Sequence, residues 1–418
     1  MVFEARFGLA ACVVACLALA GCGSRPDGVL VPVAAGAAGT SSVDMLVATT
    51  RRGVADPGKM FSGERDQALN YADIKISIPP NAVRQAGEVQ WPSGAGDPAR
   101  EFVALKADRL SEKQALSVFH ERLRRTPHRR VLVFVHGFNT RFGEAVFRLA
   151  QIVHDSSVPA LPVLFTWPSR GQLLAYTYDR ESANYSRDAL ELLLQNLAKD
   201  PAVGEIDVLA HSMGNWVALE ALRQMAIRNG AIVPKIKQVM LAAPDVDVDV
   251  FRRQIIEMGP KRPPFTLFVA QNDNALAVSQ RVWGGMARIG SVNPKIAPYE
   301  AMFAQQKINV VDLTEVQTSD RLGHTKFAES PEVVRMIGAR LAGGQTLNDG
   351  QAGLGDKLAR ITSGAAATVG ATAGIALSAP LAVIDGRTRD NFGERLQELG
   401  AHVQETAGSA VSFPTDKY

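Results

Sequence analysis

Ser212 stands where a strand-like run, EIDVLAHS (205–212), gives way to a helix-like one, NWVALEALRQM (215–225). Its neighbours two residues away are small, Ala210 and Gly214, as required where a strand and a helix meet closely at a sharp corner. A tight packing turn would explain these residues. So would a nucleophile held at the tip of a sheet edge. A serine hydroxyl attacks carbonyls only with a base to take its proton and an acid to orient that base.

Chain order limits the partners, because in sheets built this way the acid and then the histidine follow the serine. Of the seven histidines, His120, His128, His136 and His154 precede Ser212 and His211 adjoins it, where neighbouring side chains are expected to diverge. Only His324 and His402 follow. His402 belongs to the tail, whereas His324 lies in RLGHTKF, in a loop after the last predicted strand, and is the candidate base. Asp273 ends TLFVAQND, two strands after the serine, and is the preferred acid. Asp245, in APDVDVDV one strand after it, remains the alternative, and that segment could instead cap a helix. A tetrahedral oxyanion needs two donors, and the backbone N–H groups of Met213 and of Phe138, in HGFN (136–139), are the candidates. Asn139 could also cap the next helix. This chemistry calls for no metal and no organic cofactor.

The elements that must position these groups alternate. VLVFVHG (131–137) is apolar throughout, as expected of a strand buried on both faces. A helix at about 142–156, a strand at 161–169 and a helix at 180–199 come before the serine strand. Strands at 236–247, 264–273 and 308–316 and a last helix at 331–342 come after it. Such alternation predicts an α/β fold with a mostly parallel central sheet and helices on both faces. Earlier strands near Val43, at 73–80 and at 101–110 could add an antiparallel edge, with Ser111 and Gln114 capping a helix to about Arg125. YTYDRESANYS (176–186) is a candidate lid or site rim, or else an ordinary loop.

HGFN, FTWPS, AHSMGN, LAAPDVD, QNDNAL and LGHTKF, in this order and with the earlier VATTRR, SIPP and VQWP, resemble a bacterial α/β-hydrolase family of undefined function in the esterase/lipase superfamily. The likeness covers roughly residues 43–342. It implies the α/β-hydrolase fold, with Ser212 as nucleophile, Asp273 as acid and His324 as base. The expectation is a serine hydrolase of carboxylic esters, with an amidase or acyltransferase using the same triad. The alternative is a non-catalytic envelope lipoprotein that uses the fold as an interaction scaffold.

The flanks say where such an enzyme would work. The chain has 418 residues and a net charge of +3, too small to argue for nucleic acid, and the arginines at 122, 124, 125, 129 and 130 read as a solvated helix end. All three cysteines lie in the first 22 residues, where a short apolar run ends in Leu19-Ala20-Gly21-Cys22. That run reads as a secretory signal peptide (1–21). Leu-Ala-Gly-Cys is similar to the bacterial lipobox, which implies a lipidated Cys22, a membrane contact and a cell-envelope location. Gly23 leans this towards the outer membrane where there is one. Cleavage there would leave one cysteine, hence no internal disulfide and no cysteine-based zinc site. Residues 22–42 read as a flexible linker. Residues 343–418 read as a Gly/Ala-rich tail, with Gly370 and Gly374 in a G-x-x-x-G stretch that could meet a membrane. The expected substrate is an ester or lipid-like small molecule.

Overall fold

Unbroken apolar runs end up in the middle of a sheet. In RVLVFV and LPVLFT every residue is buried, since helices cover both faces. The computed structural model describes residues 27–282 and 285–342. In chain order they form β1 (Ser41–Gly53), β2 (Phe61–Ile78), β3 (Val103–Leu110), α1 (Glu112–Leu123), β4 (Arg130–Val135) and α2 (Phe142–Ser156). Next come β5 (Leu161–Thr166), α3 (Tyr176–Lys199), β6 (Glu205–His211), α4 (Gly214–Asn229), β7 (Ile236–Ala242) and α5 (Val248–Met258). The last are β8 (Phe265–Val269), α6 (Asn274–Val282), α7 (Tyr299–Gln305), β9 (Ile308–Asp312), α8 (Lys326–Glu329) and α9 (Pro331–Ala342).

The nine strands form one sheet in the order β3-β2-β1-β5-β4-β6-β7-β8-β9. β2 alone runs against the rest, pairing antiparallel with both β1 and β3, while β1 pairs parallel with β5. Alternate residues of each strand feed two apolar layers. Val131, Val133 and Val135 of β4 face a layer completed by Phe119 of α1, Leu190 of α3, Val217 of α4 and Phe251 of α5. Leu132 and Phe134 face the other, with Phe147 of α2, Phe327 of α8 and Val333 of α9. Ser111 and Gln114 make the expected capping box at α1.

Two expectations change. Part of the stretch read as a flexible linker lies against the domain: Leu30 is fully buried, its N–H donates to Gly58 O at 3.0 Å, and Val33 N–H donates to Ala104 O at 2.9 Å. Burial of one leucine and two backbone bonds is enough to fix so short a segment. Residues 176–186 are neither lid nor loop but the opening turns of α3. Cys22 with its preceding run, and all residues after 342, lie outside the described residues. No described helix is long and apolar enough to cross a membrane.

At the amino end of β6, Asp207 is buried with Oδ2 unbonded. Arg130 Nε lies 3.8 Å away, but its guanidinium is spent on Glu205, at 2.6 and 3.0 Å, and on Leu341 O. Burial therefore outweighs the attraction of Arg130 and lifts the carboxyl from 3.8 to about 7. A folded value above the unfolded one means that stability falls as pH rises from about 4 to about 7 and then levels. Asp207→Asn is expected to raise Tm at about pH 8 and to change it little near pH 4, read by thermal melts at both.

Candidate active site

Ser212 sits at the β6–α4 corner with φ +52°, the left-handed region, 5 % exposed. Bonds on both sides hold this costly conformation. Ser212 N–H donates to Ala242 O at 2.9 Å, and the buried Asn215 amide donates to both Ser212 O and Ala242 O, each at 2.9 Å. Gly214 has no room for a methyl, because a Cβ there would fall inside contact distance of His136 O and 2.7 Å from Val135 O. Both obstacles are backbone, which cannot swing aside. Gly214→Ala is therefore expected to destabilise the fold by about 1–3 kcal/mol, the usual cost of overpacking, and to displace the corner. Paired thermal melts and ester turnover would check this; unchanged values in both would refute it. Gly137 is also tight, since a Cβ there would stand 2.8 Å from Ser212 Cβ.

His324 and Asp273 come together from loops at the same carboxyl edge. His324 Nδ1 lies 2.7 Å from Asp273 Oδ2, and Asp273 Oδ1 accepts Leu276 N–H at 3.0 Å, so the acid also caps α6. Burial would lower the imidazole value. The charge and hydrogen bond of Asp273 outweigh it, with Asp245 and Asp320 contributing, and His324 is held above its ordinary 6.5. Its loop is pinned by Asp320, whose carboxylate accepts the N–H groups of Leu322, His324 and Thr325 at 2.9, 2.7 and 2.9 Å. Sequence reasoning missed Asp320. Its signal was an aspartate four residues ahead of a histidine in a loop, a spacing that suits an Asx-type turn.

Among the described residues no hydrogen bond joins Ser212 to His324. Catalytic hydrogen bonds often tighten only when substrate is bound. His324 packs on His211, which is beside Ser212 in the chain. The His211 ring stands 4.8 Å from those of His324 and Phe327, with Nε2 3.2 Å from His324 O. Burial first, then the charge of His324, keep His211 well below its ordinary value, hence neutral.

Asp245 has other partners. Tyr176 and Ser279 hydroxyls donate to it at 2.8 and 2.6 Å, and Arg288 Nε lies 3.4 Å away. No described bond joins it to His324. Asp247 caps α5 by accepting Asp249 and Val250 N–H. Asn139 does not cap α2. It has φ +57°, and the cap is Arg141, whose N–H donates to Glu144 at 2.7 Å. Among the described residues the N–H groups of Phe138 and Met213 have no acceptor, as oxyanion donors would require. Tyr176, the first residue of the stretch offered as a site rim, packs its ring 5.0 Å from that of Phe138 and so spans from the HGFN turn to Asp245.

Comparison with known proteins gives a family. An uncharacterized protein of Nostoc sp. is 27% identical over 142 residues, 28% of this chain and 37% of the relative, so the chain spans little over a third of that relative's length. Among solved structures, fungal esterases from Rhizomucor miehei are similar at 13% identity over 72% of this chain and 83% of theirs, with a TM-score of 0.32. A putative cell surface hydrolase from Lactobacillus plantarum WCFS1 is similar at 12% identity, over 56% of this chain and 96% of its own, with a TM-score of 0.33. Residues 111–340, more than half the chain, match the model of a family described as alpha/beta hydrolase of unknown function, DUF900. With a parallel sheet covered by helices on both faces, and Ser212, Asp273 and His324 on loops at its carboxyl edge, the chain belongs to this α/β-hydrolase family.

Proposed function

We propose that this hydrolase is a serine enzyme acting on carboxylic esters, held to the cell envelope through a lipidated Cys22. The observation that carries the reading is the His324–Asp273 bond of 2.7 Å on the sheet edge where Ser212 adopts a positive φ. In the mechanism, Ser212 Oγ attacks the acyl carbonyl and its proton passes to His324 Nε2. Asp273 fixes the tautomer and stabilises the imidazolium. The oxyanion is received by the Phe138 and Met213 N–H groups. Collapse returns the proton from His324 to the leaving alkoxide, which departs as the alcohol. Water, deprotonated by His324, then attacks the acyl-enzyme, and the acid leaves with Ser212 restored. Tyr176, between Phe138 and Asp245, forms a wall of the acyl site.

The test is labelling of the purified protein by a fluorophosphonate, which needs an activated serine. Labelling of the wild type and none of Ser212→Ala supports the reading. A folded wild type that neither labels nor hydrolyses p-nitrophenyl esters overturns it and leaves the scaffold alternative.

A further inference from the structure

Arg51, in the β1 stretch VATTRR, is fully buried and outside the segment matched by the family. All five of its N–H donors are used. Nε donates to Thr166 Oγ1 at 2.8 Å, Nη1 to Ser62 O at 3.1 Å and Ser169 O at 2.8 Å. Nη2 donates to Thr140 O at 2.8 Å and faces His136 Nε2 at 3.3 Å. Every partner is neutral. A buried cation with no carboxylate in contact is a poor way to add stability, since desolvation is not offset by a close opposite charge. Burial indeed lowers its value to about 10, against the pull of the more distant Asp179 and Glu144. Its placement makes sense in terms of what it touches: His136 at the start of the HGFN turn and Thr140 just past its end.

The hydrogen bonds around His136 fix its tautomer. Thr166 Oγ1 accepts from Arg51, so its own proton is free for His136 Nε2, 2.9 Å away. Trp167 N–H donates to the same nitrogen at 3.2 Å. Nε2, facing three donors, carries no proton, and Nδ1–H donates to Gly137 O at 2.8 Å. Burial, then the charge of Arg51, push the imidazole down to about 3, so this arrangement holds at any working pH. The ring itself is stacked 5.0 Å from Trp167, whose indole N–H donates to His136 O at 2.8 Å. In a trans peptide, C=O and the next N–H point opposite ways. Pinning Gly137 O to the imidazole therefore turns Phe138 N–H away from it. The other side of the turn is held by Asp179, which accepts Asn139 N–H at 3.4 Å and the Ser169 hydroxyl at 2.5 Å.

We propose that Arg51 and His136 are positioning residues that aim the Phe138 amide at the oxyanion, which makes the β1–β2 hairpin part of the catalytic apparatus. The inference rests on the serine-hydrolase reading above. Its test compares Arg51→Met, His136→Phe and His136→Asn in the full protein, by ester kinetics and by the affinity of an aryl boronic acid, which forms a tetrahedral adduct on an active serine. Loss of one oxyanion donor costs roughly 10²–10³ in rate. Arg51→Met and His136→Phe should each lose about 10²-fold in kcat with KM nearly unchanged, and boronate affinity should fall in parallel. His136→Asn, whose amide N–H can replace Nδ1–H, should recover most of the loss. Three results would overturn the inference while leaving the enzyme reading intact: wild-type kcat in both folded variants, equal losses for His136→Asn and His136→Phe, or a lower kcat with unchanged boronate affinity. Should Arg51→Met not fold, the two His136 variants decide. A wild type without ester turnover or boronate binding defeats both.

Discussion

Ser212→Ala is expected to lower kcat for ester hydrolysis by about 10⁵-fold or more while leaving the melting temperature within a few degrees. The rate term is large because the hydroxyl is the group that forms the acyl-enzyme, and nothing nearby can replace it. His211 is held well below its ordinary value and packs against His324, and Tyr176 is bonded to Asp245. Stability should barely move, because serine and alanine meet the same steric cost at φ +52° and Ser212 N–H keeps its bond to Ala242 O. His324→Ala should cost a similar factor and the double variant no more, since residues that act as one unit are not additive. Turnover of p-nitrophenyl esters of rising chain length measures this, and the optimum separates an esterase from a lipase. Residual activity near the wild-type level in Ser212→Ala would mean that another group carries the chemistry.

Asp273→Asn should cost about 10⁴-fold in kcat, because an amide can donate to His324 Nδ1 and so favour the tautomer with the proton on the wrong nitrogen. The pH profile gives a second reading of the same variant. His324 must be neutral to accept the serine proton, and it is held above 6.5 chiefly by Asp273 against the opposing pull of burial. Wild-type kcat/KM should therefore fall as pH drops, with a midpoint above 6.5. With Asp273 neutralised, burial dominates and the midpoint should move down. Asp245→Asn should lower the midpoint slightly through lost charge and cost far less in rate, since Asp245 bonds Tyr176 and Ser279 instead. Equal losses in the two variants would sink the assignment of Asp273 as the acid.

The parts of the site legible in the sequence were those that local patterns encode. A serine between small residues at a strand–helix junction, an aspartate at a strand end and a histidine in the next loop each carry their signal within a few residues. The buried runs of β4 and β5 announced a parallel sheet for the same reason. What was not legible depends on distant pairs. Arg51 reaches His136 across 85 residues, and nothing in VATTRR marks one arginine for burial. Tyr176 gained its place from α3 beginning earlier than its polar composition indicated. The side chain of His211 was expected to diverge from that of Ser212, but that it would lie beside His324 and Phe327 depends on residues more than a hundred positions away.

The pinned stretch before β1 sets a reach. Asp27 is ion-paired to Lys59 at 2.8 Å, and Val29 and Leu30 rest against Gly143 at the start of α2, the helix entered directly from the HGFN turn. If the chain is tethered at Cys22, the eight residues from there to Leu30 can span at most roughly 26–29 Å, at about 3.3–3.6 Å per residue. A leash of that length would leave the domain little freedom to patrol the space beyond a bilayer, and it would depart from the carboxyl edge that carries Ser212. Such an enzyme would work as a grazer, taking what passes within a few nanometres of the surface that holds it.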